Sequence, residues 1–104
     1  MAWIVLVLSG LMETVWAVSL AQSDGFRNAR MVAVFAVAMV LSMLGLGFAL
    51  RELPVGTAYA VWTGIGAVGT AVFGIAVLGE PTTVARIVCL TLIVCGVAGL
   101  KVLS

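Results

Sequence analysis

Four long apolar runs, separated by short polar breaks, make up nearly all of the chain. They cover about 2–21, 31–50, 55–78 and 83–103. Each is about 20 residues long, the length a helix needs to cross a hydrocarbon core roughly 30 Å thick. The runs are continuous rather than alternating, which argues against transmembrane β-strands. The pattern predicts an all-α membrane protein with four transmembrane helices, in one domain over 1–104. The breaks are too short to hold a soluble catalytic or nucleotide-binding unit. A secretory signal peptide is a poor match for the first run, because no basic segment precedes it, no cleavage site is evident and three similar runs follow.

Composition agrees. Only 9% of residues are charged and 64% are hydrophobic, which leaves too little polar surface for a soluble domain of this length. A net charge of +1 gives no footprint for nucleic acid. The charges gather at the breaks: Asp24, Arg27 and Arg30, then Arg51 and Glu52, then Glu80 and Arg86, with Lys101 near the end. Lysines and arginines in short loops set orientation. Here Arg51 and Lys101 fall on one side and Arg27, Arg30 and Arg86 on the other, a nearly even split. Either a partner or insertase sets the direction, or the chain inserts both ways and opposed copies pair as an antiparallel homodimer.

Four short helices enclose little space, so an oligomer is expected. Thr91, Cys95 and Gly99 recur every four residues in the last run, with Gly96 beside them. Small residues let helices approach in lipid, either between copies or within one. Cys89 and Cys95 read as small packing residues. Their spacing is not that of a metal clip, and the chain has no histidine to complete a metal site. No cofactor is expected.

Only Glu13 stands apart from the charge clusters, near the middle of the first run. A carboxylate at that depth costs roughly 3 kcal/mol or more to insert and usually marks an ion or substrate path. Trp16, at i+3, shares its face. Ser42 is the strongly polar residue of the second run and lies on a small-residue stripe, Ala38, Ser42, Gly45 and Ala49. Tyr59 and Trp62 share a face of the third helix. Trp3 suits the interfacial aromatic belt. A carboxyl, a hydroxyl, a phenol and two indoles could therefore converge. Burial favours the protonated form of such a carboxyl, and a bound cation favours the charged form, so proton and cation compete. Aromatic faces add cation–π attraction. If two copies bring two Glu13 together, their titrations belong to the pair.

Residues 64–69, Gly-Ile-Gly-Ala-Val-Gly, spell GxGxxG. The dinucleotide reading needs a strand before it and an acidic residue about 20 positions on. Here the motif lies inside a membrane-length run and Glu80 comes too soon. Gly64 and Gly66 instead offer helix 3 a place to bend beside Trp62, or close packing against a neighbour.

With these residues in view, the chain resembles the small multidrug resistance transporters, and among them the guanidinium exporters. The likeness runs from Met1 to Lys101. It is carried by "ETVWA" around Glu13, "SDGF" at 23–26, "LPVGTAYAVWTGIGAVG" at 53–69, "GEP" at 79–81 and "LIVCGV" at 92–97. The resemblance implies an antiparallel dual-topology dimer in the bacterial inner membrane that exports a cation against protons by alternating access. It makes Glu13 the shared proton and substrate carboxylate, ringed by Trp16, Ser42, Tyr59 and Trp62. It makes Gly64 and Gly66 the bend of helix 3, and the stretch containing Leu92, Ile93, Gly96 and Val97 the dimer contact. Tryptophan at position 16 matches guanidinium exporters, whereas exporters of polyaromatic drugs carry glycine there. Two positions depart from the family pattern, Ala21 where many members have lysine and Cys89 where the dimer motif usually opens with glycine.

The expected function is thus proton-coupled export of guanidinium and small guanidinyl cations by a non-enzymatic transporter, as a homodimer or a paired heterodimer. An exporter of quaternary-ammonium or polyaromatic cations is the alternative within the family. From the residues alone, a passive cation or proton channel and a non-transporting membrane subunit also stand. Neither predicts uphill exchange that depends on Glu13.

Overall fold

A computed structural model describes residues 1–103 and is helical throughout its ordered elements. The helices are α1 (Ala2–Gln22), α2 (Ala29–Ala49), α3 (Val55–Ala76) and α4 (Val84–Leu103). All four are long and apolar enough to cross a membrane. Helices are the form that lets an apolar segment satisfy its own backbone where no water can.

The breaks carry specific turn chemistry. After α1, the Ser23 hydroxyl donates to the Leu20 carbonyl at 2.7 Å and accepts from the Phe26 N–H at 3.2 Å. The chain then runs through the left-handed region at Asp24 (φ 53°), Gly25 (φ 66°) and Phe26 (φ 70°). Aspartate and glycine tolerate that region; the aromatic is the unusual member. Asn28 opens α2, its side chain accepting from the N–H groups of Arg30 at 3.1 Å and Met31 at 3.3 Å, the usual role of an N-cap. Pro54 precedes α3. Gly79, at φ 71°, turns the chain out of α3, and the Thr83 hydroxyl accepts from the Arg86 N–H at 3.2 Å in the first turn of α4.

Helix α1 is the hub. It packs most extensively on α2 and next on α3; α4 packs mainly on α3, with Lys101 reaching over the Trp3 ring of α1, while α2 and α3 barely meet. Its buried residues Ala2, Leu6, Ser9 and Glu13 recur at three- and four-residue steps along one face, with Gly10 beside Ser9 and Ser19 buried further on. Ile4, Val7, Leu8, Leu11 and Val15 are exposed on the other. Leu6 apart, the covered face is small or polar and the outer face large and apolar, the arrangement lipid favours. On α2 the stripe Ala38, Ser42 and Ala49 is buried, and Gly45 meets Ser9 of α1. Among the described residues α4 has no buried position; only Val97 and Leu100 pack against the core. The chain forms a slab of 41 × 35 × 17 Å, less than two helix diameters thick.

The α1–α3 contact depends on a missing side chain. A Cβ at Gly10 would lie 2.8 Å from the Ile65 Cβ and 3.3 Å from the Trp62 carbonyl, neither of which can swing away. Gly10→Ala should therefore force the helices apart and cost about 1–3 kcal/mol, seen as a lower thermal unfolding midpoint in detergent. Gly47→Ala, with nothing within 4 Å, should be neutral or slightly stabilising, since alanine favours helix by about 1 kcal/mol.

Candidate functional site

Glu13 sits on the covered face of α1, only 8% exposed. Its carboxyl lies directly against Gly66 of α3, where any Cβ would collide with it. No group among the described residues donates a hydrogen bond to that carboxyl or pairs with its charge. It lines an open-sided groove of about 490 Å³, together with Trp16, Ala17, Thr63, Gly66 and Thr70. The groove continues past Gly74 to Glu80 and Arg86 beyond the end of α3.

Trp16 lies one turn past Glu13 on the same groove. Its ring meets Phe35 of α2 edge-on with centroids 6.0 Å apart. Its indole N–H is buried and has no hydrogen-bond partner among the described residues. An unpaired donor and an unpaired carboxyl therefore share one groove. Such a groove has acceptors for a cation or a proton and an aromatic wall.

A second polar unit lies beside it. The Ser42 hydroxyl, fully buried, donates to the Ser9 carbonyl of α1 at 2.7 Å and accepts from the Trp62 indole N–H at 3.0 Å. Three helices are thus tied at one hydroxyl, a turn before Glu13. Tyr59 packs against Trp62 with ring centroids 6.0 Å apart but is 57% exposed. Within one chain, the structure brings Glu13 and Trp16 into the groove, whose lining does not include Ser42, Tyr59 or Trp62.

Helix α3 is continuous through its glycines, and Gly64 and Gly66 meet different neighbours. Gly66 faces Glu13. A Cβ at Gly64 would lie 2.7 Å from a Val97 methyl. Gly64 and Val97 line a separate apolar groove of about 340 Å³ between α3 and α4. Leu92 and Ile93 are exposed, and Gly96 has nothing within 4 Å.

Sequence reasoning passed over Thr14, Thr70 and Gly69. The Thr14 hydroxyl crosses from α1 to donate to the Gly66 carbonyl at 3.2 Å, and Thr70 donates to the same carbonyl at 2.7 Å. Gly69 leaves room for the Thr14 hydroxyl. Only the position of Thr14 beside Glu13 hinted at this, since threonines in membrane helices more often bond back within their own helix.

The sequence profile of the family described as Small Multidrug Resistance protein matches residues 1–93. The chain belongs to the small multidrug resistance family. It is a multi-pass membrane protein of a transporter family. It is 53% identical over 104 residues to a guanidinium exporter of Yersinia pseudotuberculosis, covering all of both chains. It is 52% identical over 101 residues to the guanidinium exporter of Escherichia coli K12, covering 97% of this chain and 96% of that one. A guanidinium exporter of Citrobacter freundii is 52% identical over the same length.

Removing the Ser42 hydroxyl leaves the buried Trp62 indole without its acceptor. Ser42→Ala should cost about 1–3 kcal/mol of stability. Trp62 emission, isolated by replacing Trp3 and Trp16 with phenylalanine, should change with it.

Proposed function

We propose that this family member exports guanidinium and small guanidinyl cations across the bacterial inner membrane in exchange for protons. Glu13 is the group that carries either the proton or the cation. The observation that carries this reading is the Glu13 carboxyl itself: buried in a membrane helix, against a glycine, at the inner end of a groove, without a protein partner. A buried carboxyl with no internal counter-ion is stable when protonated or when a cation sits beside it. Those two states are alternatives at one site, and exchange follows from their competition.

The guanidinium preference is supported by the guanidinium exporters to which the chain is most of the way aligned and by the groove. A guanidinium is planar with forked donors that suit carboxylates. The Trp16 ring supplies a flat wall and cation–π attraction. An indole at that place also narrows the groove against bulky polyaromatic cations.

In this reading the working unit is an antiparallel homodimer. Two Glu13 face one another across the open side of the groove, joined by Trp16, Ser42, Tyr59 and Trp62. The stretch holding Leu92, Ile93, Gly96 and Val97 makes the contact between copies, and Gly64 and Gly66 let α3 bend as the site alternates. The near-even loop charge, the slab shape and the uncovered α4 all suit a chain completed by an opposed copy.

The test is exchange in liposomes holding the purified chain alone. Guanidinium added on one side should drive protons the other way, and Glu13→Gln should abolish this counterflow while still folding. Counterflow that survives in Glu13→Gln would remove Glu13 from the mechanism. A wild type that moves quaternary amines but not guanidinium would reassign the substrate.

A further inference from the structure

The groove that starts at Glu13 ends at an ion pair that the exchange above does not use. Glu80 follows α3 and Arg86 lies in the first turn of α4, and both line the same groove as Glu13. The Arg86 guanidinium donates to the Glu80 carboxylate and, at 3.4 Å, to the Pro81 carbonyl. Glu80 is partly exposed, yet it is tied back onto α3. Its N–H donates to the Gly74 carbonyl at 3.0 Å, and its carboxylate lies where a Cβ on Gly74 would be. Gly74 thus does for Glu80 what Gly66 does for Glu13. The two glycines stand eight positions apart on α3, about 12 Å along the axis. One groove therefore has a carboxylate at each end, each seated on a side-chain-free spot of the same helix.

The outer carboxylate already holds a guanidinium, that of Arg86. A free guanidinyl cation presents the same forked donors. The pair is partly exposed, with side-chain exposures of 32% for Arg86 and 42% for Glu80. Such pairs are held by about 1 kcal/mol or less, so exchanging one guanidinium for another costs little. We propose that Glu80 is an outer cation site at the aqueous end of the Glu13 groove. Arg86 occupies it at rest and yields it to an incoming guanidinyl cation, which then moves on to Glu13. The identity of the ligand rests on the export reading above; the site itself rests on the pair and the groove.

Two variants distinguish this from a simple staple of the α3–α4 connection. Glu80→Gln removes the outer site and leaves Arg86 repelling cations at the mouth, so the KM for guanidinium should rise about two- to fivefold with kcat retained. Arg86→Gln removes the internal competitor, so the KM should fall. A staple would make both variants worse in the same way, and parallel changes overturn the proposal. The second measurement does not depend on transport. In Glu13→Gln protein carrying 15N-arginine in lipid bicelles, the Arg86 Nε–Hε signal, assigned by its loss in Arg86→Lys, is followed as guanidinium chloride is added. It should shift saturably with guanidinium and not with sodium chloride at the same ionic strength. A signal indifferent to guanidinium, or equally responsive to sodium, overturns the outer site. Failure of the export reading would appear separately, as wild-type liposomes that move no guanidinium.

Discussion

The close approach of α1 to α3 around one carboxyl governs the rest of this structure. Glu13 can lie inside an apolar helix only if protein covers it, because lipid gives a carboxyl nothing to bond. The cover is Gly66, whose lack of a side chain lets the carboxyl rest on the α3 backbone. Gly10 brings Ile65 close a turn earlier, and Gly69 admits the Thr14 hydroxyl a turn later. Glycine inside a helix is unfavourable by about 1 kcal/mol relative to alanine. Gly66 and Gly69 in α3, and Gly10 in α1, make sense as the cost of this approach.

The hydroxyls complete that constraint in the same way. Ser42 and Thr14 each donate across helices to backbone carbonyls, of Ser9 and Gly66 respectively. A carbonyl fixed in a helix cannot rotate, so each bond sets the distance and register of two helices rather than of two flexible side chains. Lipid offers no hydrophobic drive to hold helices together, and such bonds with close packing take its place. Glu13 lies between these ties, so its surroundings are defined even though no donor reaches its carboxyl.

Much of this was legible in the chain. The four helices follow from run length, and Glu13 from its isolation among clustered charges. Ser42 emerged from its stripe, which proved to be the buried face of α2. What could not be read was which helix each face meets. In a soluble helix the apolar side marks the core. Here both sides are apolar, so the marker is small size, which says that something approaches but not what. Gly64 and Gly66 looked equivalent in sequence, yet one meets Val97 and the other Glu13. Tyr59 and Trp62 share a helix face, but only Trp62 is buried in the single chain. Glu80 and Arg86 read as loop charges, because a linear sequence does not reveal that the α3–α4 turn folds back over the groove.

Helix α4 shows why exposure has to be weighed against its solvent. Among the described residues it buries nothing, and Leu92, Val94 and Val102 are well exposed. In water such a face would compel association. In a bilayer it does not, since acyl chains solvate leucine as well as another helix does. The more costly feature is the groove, where the buried Glu13 carboxyl and the buried Trp16 indole N–H keep unmet hydrogen-bonding capacity. Unsatisfied polar groups are far more costly there than uncovered leucines. The costliest uncovered feature of the single chain is therefore its polar groove rather than the apolar face of α4.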